Sequence, residues 1–97
     1  MSKRERKPQW DRLYCSDGFN MSVQAGQSHY STPRSDVGPW TEFEIGYPSD
    51  WDVLLAPYAE DPAKPTETVY GYVPLDVVEG VVRNHGGLQG GGDFPWA

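Results

Sequence analysis

The sequence predicts an α+β domain, an antiparallel sheet of three to five strands with one C-terminal helix packed across one face. Three observations point there. Two stretches, around Met21 and around Phe43, alternate apolar and polar residues with the period of a half-buried strand. A third, Thr68 to Val73, is rich in β-branched and aromatic residues. One stretch only, Leu75 to His85, carries helical spacing between a proline and a pair of glycines.

Taken in order, residues 1 to 12 are polar, highly charged and broken by Pro8, and read as a mobile basic arm. From Phe19, the residues Phe19, Met21, Val23 and Ala25 fall on one face of a strand and Asn20, Ser22 and Gln24 on the other. Pro33 to Pro39 has loop composition. Trp40 to Tyr47 alternates again, with Thr41, Phe43, Ile45 and Tyr47 opposite Trp40, Glu42 and Glu44. Pro48 ends that run, and Ser49 with Asp52 three residues later suits the cap of a brief helical turn, the alternative being a strand over Val53 to Tyr58. Glu60 to Glu67, with Pro62 and Pro65, reads as an exposed loop. Pro74 then opens the helix, with Leu75, Val77, Val78, Val81 and Val82 apolar and Asp76, Glu79 and Arg83 polar. Its valines and Gly80 have poor helix propensity, so packing on the sheet must stabilise it. Residues 13 to 87 thus form a single domain, and the glycine-rich 88 to 97 a flexible tail.

Ninety-seven residues suffice for one core without disulfides, and thirteen aromatics, four of them Trp, must supply much of the buried area. The lone Cys15 excludes an intrachain disulfide. No apolar leader and no run of roughly 20 apolar residues is present, so a cytoplasmic protein without a membrane partner is expected.

Charge is distributed unevenly. The first twelve residues hold five cations against two carboxylates, +3, and residues 13 to 97 hold three cations against twelve carboxylates, −9. Between Asp36 and Glu79 there are ten carboxylates and one cation, Lys64. Such a field steers a basic partner. The basic arm suits phosphate contacts, but the acidic body would repel the same backbone, so no direct nucleic-acid binding is expected.

Catalytic chemistry has few candidates. Cys15, His29 and His85 lack a nucleophile signature, and a histidine where a helix ends has a purely electrostatic explanation. The Asp50/Asp52 and Glu60/Asp61 pairs lie in proline-flanked segments that read as solvated surface. Two histidines and one cysteine far apart make no zinc pattern, the acids make no calcium loop, and Gly90 to Gly92 precede neither a lysine nor a helix. The expectation is a binding protein with no enzymatic activity, no cofactor and no metal.

Glu42 and Glu44 share a strand face at a spacing of roughly 7 Å, close to two nucleotide steps along one DNA strand. With Asp36, Asp50, Asp52, Glu60, Asp61 and Glu67 they make a candidate phosphate-like array. The other candidate contact set is aromatic: Trp40, Tyr70, Tyr72 and Trp96.

At Ser16-Asp17-Gly18-Phe19-Asn20-Met21-Ser22-Val23-Gln24-Ala25, at Ala56-Pro57-Tyr58-Ala59-Glu60-Asp61-Pro62 and at Thr68-Val69-Tyr70-Gly71-Tyr72-Val73-Pro74, the chain resembles small bacteriophage and prophage proteins of the anti-CRISPR and wider anti-defence kind. The likeness is one of general pattern over most of Ser16 to Gly87 and brings no catalytic motif. It implies a phage-encoded inhibitor that imitates DNA and binds the DNA-binding subunit of a type I CRISPR surveillance complex in the infected host. The alternative it leaves is a host-takeover or virion accessory protein that binds through its aromatics.

Overall fold

The computed structural model describes residues 10–92. It contains an antiparallel sheet of four strands in the order β1-β2-β3-β4, with β1 at Leu13–Tyr14, β2 at Asn20–Gln24, β3 at Glu42–Gly46 and β4 at Val69–Pro74, followed by helix α1 at Leu75–Asn84. The predicted α+β class is therefore the observed one.

The first turn is local in origin. The Asp17 carboxylate accepts the Phe19 N–H at 2.8 Å, and the Gly18 N–H reaches the Cys15 carbonyl at 3.0 Å. Short polar side chains fold the backbone in this way. Strand β2 then pairs with β3 in the register Val23 to Ile45. Inward alternation buries Met21, Val23, Phe43 and Ile45 completely.

Three features of the sheet depart from simple alternation. Strand β4 pairs Val73 with Phe43 but Tyr70 with Ile45, so it holds one residue more than β3 across the same span. This is a β-bulge at Gly71 and Tyr72, and Tyr72 has φ 53°. As a result Tyr70 and Val73, three apart, both point into the core, while Tyr72 turns outward. Trp40 lies before β3 rather than in it and packs edge-on against Trp10, with ring centroids 5.3 Å apart. Tyr47 lies just beyond the strand with φ 49°, and is exposed instead of continuing the Phe43 and Ile45 face.

Between β3 and β4, the predicted cap falls on a different residue. Asp52, not Ser49, caps the turn: its Oδ1 accepts the N–H of Leu54 at 2.8 Å and of Leu55 at 3.3 Å. Ser49 Oγ instead accepts the Asn20 N–H. A single 3-10 turn at Ala56–Tyr58 follows, in place of the alternative strand.

Helix α1 is flanked by Pro74 at its N-cap and His85 at its C-cap, beyond which Gly86 and Gly87 both take φ 86°. Left-handed backbone of that kind favours glycine. Val78, Val81 and Val82 join the same buried cluster as the inward strand residues. Burial of a valine contributes about 1.5–3 kcal/mol, which offsets the weak propensity of this helix. At Gly80 the helix lies close to Leu54: a Cβ there would be 3.3 Å from Leu54 Cδ1, a tight contact that the leucine end would have to yield to.

The domain also exceeds its predicted limits at both ends. Trp10 is 7% exposed, and its N–H and C=O both bond the Gln24 side-chain amide. Arg12 bonds the Asn20 side chain and the Tyr47 carbonyl. Leu88 bridges Cys15 and Gln89 donates to the Tyr14 carbonyl, so the predicted tail begins as an extension of the sheet edge. Residues 1–9 of the predicted arm and 93–97 of the predicted tail lie outside the described residues.

Trp40 is 1% exposed and its indole N–H donates to the Ser35 carbonyl. Trp40→Ala is expected to lower stability by about 3–5 kcal/mol, as read from the midpoint of urea unfolding at unchanged slope.

Candidate functional site

The candidate acids divide by environment. On β3, Glu42 and Glu44 share the face opposite Phe43 and Ile45, as their spacing requires, and both are partly buried. The connection between β2 and β3 folds back over them. Glu42 accepts the Thr32 hydroxyl at 2.6 Å. Glu44 lies 2.6 Å from His29 Nδ1 and also accepts the Tyr30 N–H. These two carboxylates tie the connection to the sheet as well as facing solvent.

Asp52 is not a surface group. It is 7% exposed, and its second oxygen lies 2.8 Å from His85 Nε2. It is therefore withdrawn from the phosphate-like array, because capping its turn and pairing with His85 occupy both oxygens. Asp36, Asp50, Glu60, Asp61 and Glu67 are exposed. Among the described residues none of these five has an ion-pair partner. Their hydrogen bonds are to backbone: Asp36 accepts from Gln27, Asp50 from Trp51 and Asp61 from Ala63. Asp36 belongs to the loop before β3, Asp50 to the segment after it, and Glu60, Asp61 and Glu67 to the loop that enters β4.

The aromatic candidates are corrected more sharply. Trp40 and Tyr70 are each 1% exposed and belong to the core. For Tyr70 the cause is the bulge in β4, which prevents Tyr70 and Tyr72 from sharing a face. Tyr72 is accessible and packs obliquely on Tyr30. Trp96 lies outside the described residues. The most exposed large apolar side chains among the described residues are ones that spacing did not single out, Tyr47, Trp51 and Val53, at 54%, 55% and 62% exposure. They follow one another around Asp50. Their signal in the sequence is weak, a lone Trp between two aspartates after a Pro-Ser pair.

A second constellation joins residues that no spacing could connect. His85 places Nδ1 2.7 Å from Asp17 and Nε2 2.8 Å from Asp52. Its ring stacks on Phe19 with centroids 3.9 Å apart and planes 10° from parallel. Burial of the ring lowers its pKa, but the hydrogen bonds and charges of Asp17 and Asp52 outweigh that and leave it raised. The Asp17 carboxyl is held below its usual range by the Phe19 N–H first and by His85 second. Asp17, Gly18, Phe19, Ser49, Asp50 and His85 line a shallow concavity of about 280 Å³.

These environments decide what chemistry is available. Both His85 nitrogens already face carboxylates, so neither is presented to a substrate as a general base. Cys15 is fully buried, and burial first, then the charges of Asp17 and Asp52, push its thiol pKa up. Among the described residues no group of three or more His, Cys, Asp or Glu side chains is arranged to hold a metal ion, and no helix is long and apolar enough to cross a membrane. Comparison with protein-family models, with curated proteins and with solved structures gave no match to this chain.

A thiol in this environment reacts only when the core opens. Cys15 in the native protein is expected to resist a thiol reagent that labels it at once in urea, with a labelling rate that tracks global unfolding. Rapid native labelling, followed by mass, would place the thiol at the surface.

Proposed function

We propose that this protein acts by binding, as an acidic surrogate for DNA that occupies the cationic channel of a nucleic-acid-binding complex and blocks target DNA. The observation that carries the proposal is the set of five exposed carboxylates, Asp36, Asp50, Glu60, Asp61 and Glu67, none with an ion-pair partner among the described residues, in a stretch whose only Lys or Arg from Asp36 to Glu79 is Lys64. Ionised carboxylates accept the forked donors of Arg and the ammonium of Lys much as phosphate oxygens do. A nearly unopposed field of one sign also accelerates encounter with a basic surface. The resemblance to phage anti-CRISPR proteins makes a type I surveillance complex, in the cytoplasm of an infected bacterium, the partner to test.

A second reading has an observation of its own. Tyr47, Trp51 and Val53 are exposed beside Asp50, and aromatic side chains are the usual anchors of protein interfaces. On that reading the protein is a host-takeover or virion accessory factor, and charge has only a supporting role.

The test is competition with target DNA for a purified surveillance complex, followed by gel shift at about 50 and about 200 mM salt. Glu60→Gln, Asp61→Asn and Glu67→Gln together remove three exposed charges from one loop. The triple variant is expected to inhibit roughly tenfold more weakly, about 1.4 kcal/mol, and with a shallower salt dependence. This loop is a cleaner probe than Glu42 and Glu44, whose replacement would also release Thr32 and His29 from β3. Unchanged potency in the folded triple variant overturns the DNA-surrogate reading. Salt-insensitive inhibition abolished by Trp51→Ala supports the second.

A further inference from the structure

We propose that the Asp17–His85–Asp52 bridge is a proton-dependent latch that fastens the turn between β1 and β2 to the C-terminal end of α1, and that it lets go at Asp17 when His85 loses its proton. The proposal rests on the geometry of the bridge and not on the identity of any partner.

An ionised carboxylate only accepts hydrogen bonds, so an imidazole with a carboxylate at each nitrogen must donate from both. Only the imidazolium does so. The observed distances, 2.7 Å to Asp17 and 2.8 Å to Asp52, are those of two charge-assisted bonds. His85 also follows the last turn of α1, where its own N–H meets the carbonyls of Val81 and Val82, and the helix end favours a positive ring. Facing the ring are Asp17 from the β1–β2 turn and Asp52 from the segment after β3; Asp50 lines the same concavity, and the Cys15 thiol just after β1 feels the charges of the same two carboxylates. Arg83, on α1 itself, is exposed.

A neutral ring keeps one proton, and the two carboxylates compete for it on unequal terms. The Asp52 side chain is 6% exposed and that of Asp17 is 49% exposed. A buried carboxylate left without its partner costs far more than one that water can solvate. The remaining proton therefore belongs on Nε2, facing Asp52, and the bare Nδ1 lone pair faces Asp17 and repels it. The backbone bonds from Ser16 to Gly87 and from Asp17 to His85 persist, so the turn is loosened and not lost. Asp17 forms part of the rim of the concavity next to Asp50, and its release alters the shape and charge of that rim.

The pH range follows from the signs. His85 has its pKa raised on folding, so its stabilisation is complete below about 6.5 and is lost as pH rises through the raised value. Asp17 has its pKa lowered, so its share is complete above the usual carboxylate range, about 3.9, and is lost as pH falls through the lowered value.

The test is an NMR titration of the full chain between about pH 5 and about pH 9, recording the imidazole nitrogens and the backbone amides. His85 is expected to titrate with a midpoint above about 6.5 and to end as the Nε2–H tautomer. The amides of Asp17, Gly18 and Phe19 should shift with the same midpoint, and those of Leu54 and Leu55 should stay nearly constant. Asp17→Asn, at an exposed position, should lower the midpoint without unfolding the protein. A midpoint at or below about 6.5, a neutral ring protonated on Nδ1, or residues 17 to 19 that ignore the titration of His85 would each overturn the latch.

Discussion

The rest of this structure depends on the pairing of β2 with β3. Its register places Met21, Val23, Phe43 and Ile45 on one side, all fully buried, and Ser22, Gln24, Glu42 and Glu44 on the other. A sheet of such short strands has little aliphatic surface to offer a core. The aromatics make up the difference, and Trp10, Trp40, Phe19 and Tyr70 are drawn into the same cluster as the valines of α1. Large rings bury much area per residue, and they leave the surface with correspondingly fewer aromatic anchors. Trp40 and Tyr70 are used in this way, and their rings are not available at the surface.

The opposite side of the sheet is organised by polar contacts. Its acids cannot pack like a core, so the connection between β2 and β3 returns and offers donors: Thr32 to Glu42, the Tyr30 N–H to Glu44, with the His29 ring beside Glu44. Gln24 serves the same purpose at the next strand, where its side-chain amide bonds both backbone groups of Trp10 and carries the sheet pattern one step beyond β1. Hydrogen bonds of this kind give modest net stability each, but they fix where a long connection lies. They also explain how so glycine- and proline-rich a chain holds a defined surface.

What could be read from the sequence was whatever depends on neighbours. Period-two alternation located β2 and β3 to within a residue or two, and Pro74 with Gly86 bracketed α1. The bulge in β4 could not be read that way, since alternation over Thr68 to Val73 looks regular, and it alone decides that Tyr70 is core and Tyr72 is surface. Trp40 defeated the pattern for a related reason, because its ring packs against Trp10, a residue separated from it in sequence by two strands. The His85 bridge is the extreme case. Asp17, Asp52 and His85 are separated by 33 residues or more, and only the closed fold makes them neighbours. Sequence shows that a histidine ends the helix, and nothing in it shows which carboxylates will meet the ring.

The same division clarifies what the negative charge can do. Glu42 is tied to a hydroxyl and Asp36, Asp50 and Asp61 to backbone amides, and a neutral donor does not cancel a charge. Among the described residues, only His85 and His29 stand beside carboxylates as groups able to carry positive charge. Long-range steering depends on the sum of charges, so a structurally occupied carboxylate contributes to it nearly as well as a free one. Contact with a partner's Arg or Lys depends instead on oxygens that are exposed and uncommitted, as at Glu60 and Glu67. The acids that would attract a basic partner and the acids that would grip it are thus overlapping but different sets. Glu42 and Glu44 belong more to the first than to the second, because the fold already uses their oxygens while leaving their charge in place.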